Sequence, residues 1–236
     1  MSKKFQTYTK TNGSIILAII NKVILSIENS FDESYNLFDA KVEKNLIEEN
    51  SLRQLIKNKR IELKVDVPWE FDTIEDEANN MEIKIIKDKY LKNFVSIKDL
   101  YSFVPLIPYK FDLEIIKNFS RKTTESNIEY LMLYDYNSNL TILEGELLRV
   151  KIPFVKVIYN MHTHPYGHCG LSQQDINSGL DLLSEGGLST SASTENCAVA
   201  MFRQGLVIEN DYIKIKELKG NIDENLSSIK FEKILY

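Results

Sequence analysis

The sequence predicts an α+β protein: a mixed β-sheet with flanking helices in the second half, preceded by a smaller α+β region. Three observations predict it. Ile61, Leu63, Val65 and Val67 alternate with Glu62, Lys64 and Asp66, and Met81, Ile83 and Ile85 repeat the pattern, which is the period of half-buried strands. Val42, Leu46, Leu52, Leu55 and Ile56 recur at helical spacing. Beyond residue 100, apolar runs of strand length are separated by segments of helical period. Composition changes near the same point, so the chain divides into an N-terminal region, 1–100, and a second unit, 101–236.

The elements follow in order. "SIILAIINKVILSI", 14–27, reads as two isoleucine-rich strands joined at Asn21–Lys22. It is short for a bilayer span, carries Lys22 at its centre and lacks a small-residue cleavage site after it, so neither an anchor nor a signal peptide is expected. Residues 38–60 read as helix, and the basic run Lys57–Arg60 suits a helix end. Residues 61–67 form a strand stopped by Pro68. The acidic stretch 72–80 reads as a solvated loop, and 81–85 as another strand.

"SFVPLIPYKFD", 102–112, with two prolines, reads as a strand or connector opening the second unit. Asp112 is placed to cap a helix carrying Leu113, Ile116 and Phe119. Residues 129–148 read as two strands around a turn at Asn137–Ser138–Asn139. A further strand, 154–164, puts Val155, Val157, Tyr159 and Met161 on one face, and Phe154, Ile158, His162 and His164 on the other, before Pro165 ends it. Ile176, Leu180 and Leu183 mark a helix stopped by Gly186–Gly187. Residues 197–203 and 206–213 read as a hairpin across Gln204–Gly205.

Composition narrows the function. The chain is 43% hydrophobic and 27% charged, as in globular proteins. Its net charge of −5 and the lack of a large basic patch argue against nucleic acid. Two cysteines, Cys169 and Cys197, make no disulfide framework, so a reducing, cytoplasmic setting is expected. Cys169 lies in the loop after the histidine pair, and a bond from it to Cys197 would staple that loop.

All three histidines of the chain fall within "NMHTHPYGHCGLSQQD", 160–175. On a strand, His162 and His164 point to one side, about 6.6 Å apart at Cα. Two imidazoles suit one metal ion but need a third ligand, which Asp175 supplies at the start of the next helix after ten intervening residues. His, His and Asp leave a fourth tetrahedral position to water, the mark of a catalytic rather than a structural zinc site. Such a site also wants a carboxylate to carry protons. The plainer reading of Ser172-Gln-Gln-Asp175 is a helix capping box, and the two readings are compatible. His168 is expected to be solvated.

His162-Thr-His164-Pro165, six residues, Ser172, two residues and Asp175 resemble the signature of the JAMM (MPN+) metalloprotease family. The resemblance covers the second half of the chain, for which it implies a JAMM-like, cytidine-deaminase-like layered fold. It implies one Zn2+ per chain held by His162, His164 and Asp175, with Ser172 stabilising an oxyanion. The general base of the family is an upstream Glu at a strand entry. Glu129 fits that place, as in the RadC branch of the fold, and Glu125 is the alternative. Glu144 and Glu146 read as a solvated strand face. The implied activity is hydrolysis of an amide or isopeptide bond at the C-terminal tail of a ubiquitin-like or sulfur-carrier-like protein, or of a small peptide or amide. A non-catalytic MPN-type scaffold for partner proteins is the competing reading. An amidohydrolase or PHP-type site, which also opens with His-x-His, needs further histidines, and none follows His168. Neither a membrane nor a nucleic-acid partner is expected; the oligomeric state and the role of 1–100 stay open.

Overall fold

The computed structural model describes residues 6–78, 80–147, 156–165, 167, 169–217 and 226–236. It is an α+β protein with two mixed sheets. The larger sheet has seven strands: β1 (Gln6–Thr9), β7 (Ile128–Tyr134), β8 (Leu140–Leu147), β9 (Tyr159–Thr163), β10 (Ser189–Ser193), β11 (Cys197–Arg203) and β12 (Ile229–Leu235). Their spatial order is β1-β8-β7-β9-β10-β11-β12, with only β9 and β10 pairing in parallel. The smaller sheet runs β4-β5-β3-β2-β6, from β2 (Lys41–Glu43), β3 (Arg60–Asp66), β4 (Ile74–Ala78), β5 (Met81–Lys87) and β6 (Phe94–Ser96).

The helices are α1 (Asn12–Ser30), α2 (Glu49–Leu55), α3 (Ile97–Phe103), α4 (Ile107–Phe111), α5 (Leu113–Ser126), α6 (Gln173–Ser184) and α7 (Glu209–Glu217). One apolar cluster joins α1, the inner face of the small sheet and one face of the large sheet. A second cluster, from α6, α7, β11 and β12, covers the opposite face of the large sheet. The large sheet therefore carries helices on both sides. The small sheet ends at residue 96, close to the division at 100, but β1 pairs within the large sheet and α1 packs between the two sheets.

The isoleucine-rich segment 14–27 is not two strands. It lies within α1, a single helix apolar almost all round and buried accordingly: Ile16, Leu17, Ile19, Ile20, Val23, Ile24 and Ile27 have no exposure. Short apolar runs do not distinguish strand from helix, and here burial on every side does. Thr11 and Ser14 form a reciprocal capping box. α1 is long and apolar enough to cross a membrane by composition, with 67% of its apolar window buried within the fold.

Other expectations are corrected in the same way. The segment 38–60 is helical only in part: Val42 is a buried strand residue, Leu37–Asp39 and Lys44–Ile47 form short 3-10 turns, and α-helix runs from Glu49 to Leu55. The acidic stretch 72–80 contains the strand β4, whose carboxylates pair with Lys22 and Lys84. The two-proline segment 102–112 is helical. Pro105 and Pro108 sit in the first turns of short helices, where a missing N–H costs nothing. Asp112 stands at the start of α5 but makes no side-chain cap there. Its carboxylate accepts instead from Thr11 Oγ1 (2.6 Å) and Gly13 N–H (3.2 Å), at the N-terminus of α1. A side chain at Gly13 would collide with Asp112, so this approach requires glycine.

β11 pairs antiparallel with β10 on one side and β12 on the other, not with 206–213. Part of that stretch begins α7, with Glu209 and Asp211 in the first turn and Lys214 and Lys216 in the last, matching the helix dipole. The alternating strands 60–66 and 81–87, the helix after Asp112, the strands on either side of 137–139 and the helix stopped by Gly186–Gly187 form as expected. Phe154 and Val155, placed on the histidine strand, lie outside the described residues.

Candidate metal centre

β9 is a central strand, buried along its whole length between β7 and β10. His162 is its penultimate residue and His164 follows its end, where His164 N–H donates to Ser193 O (2.7 Å) and extends the pairing with β10. Both histidines are 6% exposed. They face the α6 side of the sheet, since intervening Thr163 points to the α5 side, where its hydroxyl meets Thr123.

From Pro165 the chain returns over the strand end to start α6. Ser172 is the N-cap. Its Oγ accepts Asp175 N–H (3.2 Å), and Asp175 Oδ2 accepts Ser172 N–H (2.7 Å). The expected capping box is present, and it aims the carboxylate. Asp175 Oδ1 lies 3.2 Å from His162 Nε2, Oδ2 lies 3.8 Å from His164 Nε2, and the two Nε2 atoms are 2.9 Å apart. Zinc with ligands at about 2.0–2.1 Å in tetrahedral geometry sets its ligand atoms about 3.3 Å from one another. The separations of 2.9–3.8 Å are of that order, with each imidazole nearest a different oxygen of the Asp175 carboxylate. Two protons cannot both occupy the facing Nε2 atoms, so at least one ring turns a lone pair inward. Burial opposes ionisation of Asp175, yet the hydrogen bond and charge of His162, with the Ser172 bonds, hold its pKa well below the ordinary carboxylate value. These three residues can hold a metal ion.

The two candidate bases occupy different layers. Glu125 is exposed near the C-terminal end of α5, on the side of the sheet away from α6. Glu129 is half-buried at the second position of β7. β7 pairs antiparallel with β9 from Tyr134↔Tyr159 to Leu131↔His162. Continuing that register sets Glu129 across from His164, on the histidines' face of the sheet. Gly145 and Glu146 of β8 together oppose Glu129, a β-bulge at this point. Glu144 is half-buried opposite Tyr130. The side chain of Glu146, and all of His168, lie outside the described residues.

Cys169 and Cys197 form a disulfide with Cα atoms 6.2 Å apart, tying the loop between the ligands to the start of β11. The two-cysteine count left this pairing open.

Sequence reasoning missed Gly179. It lies one turn beyond Asp175, on the face of α6 toward the sheet. A β-carbon there would come within 2.4 Å of Thr190 Cγ2 and 2.6 Å of Met201 Cε. Glycine lets α6 sit close enough for Asp175 to meet the histidines; an isolated glycine inside a helical pattern was the available signal. Gly179→Ala is expected to lower stability by about 1–3 kcal/mol, as overpacking does, and to weaken zinc binding. Thermal melts with and without zinc check both effects, and a variant with unchanged zinc affinity would refute the positioning role.

Comparison of the chain with protein-family models, curated proteins and solved structures finds no match.

Proposed function

We propose that the chain is a zinc-dependent hydrolase of JAMM (MPN+) type, cutting an amide or isopeptide bond at the C-terminal tail of a ubiquitin-like or sulfur-carrier-like protein. The observation that carries the reading is the convergence of His162, His164 and Asp175 at the end of β9, beside the hydroxyl of Ser172. Three protein ligands suit a catalytic zinc, whereas structural sites are closed by four. Zinc bound there supplies Lewis acidity toward the scissile carbonyl and lowers the pKa of a water toward about 7.

The chain's own residues do the rest. Glu129 takes the proton of the attacking water and returns it to the leaving amine. Ser172 Oγ accepts the Asp175 N–H within the cap, so its own hydrogen is available to a developing oxyanion. The ligands are held before substrate arrives, because their strand is buried and their helix is capped.

The test offers the purified protein a panel of ubiquitin-like proteins carrying C-terminal extensions. Cleavage at the tail is expected, abolished by a chelator and restored by zinc. If the zinc-loaded protein cuts none of them, nor small peptide amides, the hydrolase reading fails and a non-catalytic scaffold takes its place.

A further inference from the structure

Thr163, between the two histidines, has no solvent exposure and no part in the ligand set. Its hydroxyl is nevertheless the junction of three elements. Tyr130 N–H of β7 donates to Thr163 Oγ1 (2.9 Å), and Thr163 Oγ1 lies 2.6 Å from Thr123 Oγ1 of α5. Thr123 Oγ1 donates to Phe119 O one turn back in α5 (3.1 Å). Thr163 Oγ1 accepts from Tyr130 N–H and also lies 3.5 Å from Tyr130 O. With Thr123 donating to Phe119 O, the proton in the 2.6 Å contact is that of Thr163. The result is a satisfied chain running from the β7 backbone through the β9 and α5 side chains into a helix carbonyl.

Its place in the sheet gives it meaning. The regular register of β7 with β9 ends at Leu131↔His162, and the next amide, that of Tyr130, is held by a side chain rather than by the β9 backbone. On the other edge of β7, the β8 bulge falls opposite Glu129. Glu129 thus enters the sheet where ladder bonding has been replaced on one side and interrupted on the other. The adjoining hydroxyl chain sets its backbone relative to His164.

We propose that Thr163 and Thr123 are positioning residues: their hydroxyls fix the Tyr130 amide and so set Glu129 against the metal ligands. The inference rests on the hydrolase reading for its consequence but not for its geometry. Thr163→Val and Thr123→Val keep the side-chain shape and remove the hydroxyl; Thr163→Ser and Thr123→Ser restore the hydroxyl. Misplacement of a catalytic group by about 1 Å can cost on the order of a hundredfold in rate.

The experiment has two arms, both on the full chain with zinc stoichiometry measured alongside. In the first, the carboxyl carbon of Glu129 is followed by NMR as zinc is added. Wild type and the serine variants should show a zinc-induced shift, and both valine variants should lose it while still binding one zinc. In the second, the valine variants should lose tenfold or more in kcat with KM unchanged, and the serine variants should recover it. The proposal is overturned if the wild-type carboxyl carbon does not respond to zinc, if the valine variants keep the response, or if kcat survives hydroxyl removal in an active enzyme. A wild type that cuts nothing but keeps the hydroxyl-dependent response sinks the hydrolase reading and supports the placement of Glu129.

Discussion

Asp175→Asn is expected to lower zinc affinity by more than a hundredfold and to abolish hydrolysis with it. The size follows from what the carboxylate does. It is one of the three candidate ligands, and loss of a group that merely orients a ligand already costs about 10–100-fold in affinity. An amide also lacks the charge that offsets a divalent cation beside two neutral rings. The fold should survive, because an amide oxygen can still accept the Ser172 N–H that closes the cap. Titration with a competing zinc chelator gives the affinity, and circular dichroism checks the fold. Near wild-type affinity would show that the three side chains share no ion.

Acid should release the ion from the wild type as well. Imidazoles must be neutral to ligate, so apparent affinity should fall as the pH is lowered. Asp175 has the opposite sign to a histidine. Its pKa is depressed in the fold, so its stabilising contribution is full above the unfolded carboxylate value and is lost as pH falls through the folded one.

The convergence of the candidate ligands was legible because its logic is local. Alternation along one strand sends His162 and His164 to the same side, and the capping pattern fixes where α6 begins. Neither needs knowledge of the rest of the fold. The corrections arise where tertiary contacts decide. α1 and a pair of strands draw on the same isoleucines, and only burial on every side separates them. The core strand β10 is Ser-Thr-Ser-Ala-Ser, with no apolar pattern at all. It is polar because its neighbours satisfy it: Ser191 with Tyr109 and Tyr159, Ser193 with Tyr109, and Thr190 with Asn160. It is small because α6 presses on it at Gly179. The edge strand on the far side of β11 is likewise invisible locally, since the chain first forms α7 before returning as β12. Thr163 escaped notice because its partners are 33 and 40 residues away in sequence.

The choice between Glu129 and Glu125 turns on layers rather than distance along the chain. They are four residues apart, with the end of α5 and the left-handed cap at Asn127 between them. Glu125 belongs to a helix on one side of the large sheet, and Glu129 to a strand whose register directs it to the other side, with the histidines. A carboxylate on the α5 side would have the sheet between itself and any water near His162, and proton transfer requires hydrogen-bond reach. Glu129→Gln is therefore expected to cut kcat by about 10²–10⁴-fold, the usual worth of a general base. One zinc per chain should remain, since Glu129 is outside the ligand set. Glu125→Gln should leave kcat within about twofold, as for an exposed group outside the site. Measuring kcat beside zinc content separates loss of the base from loss of the metal. The reverse result, with the Glu125 variant dead and the Glu129 variant active, would place the reacting water on the α5 side, where neither histidine nor Asp175 lies.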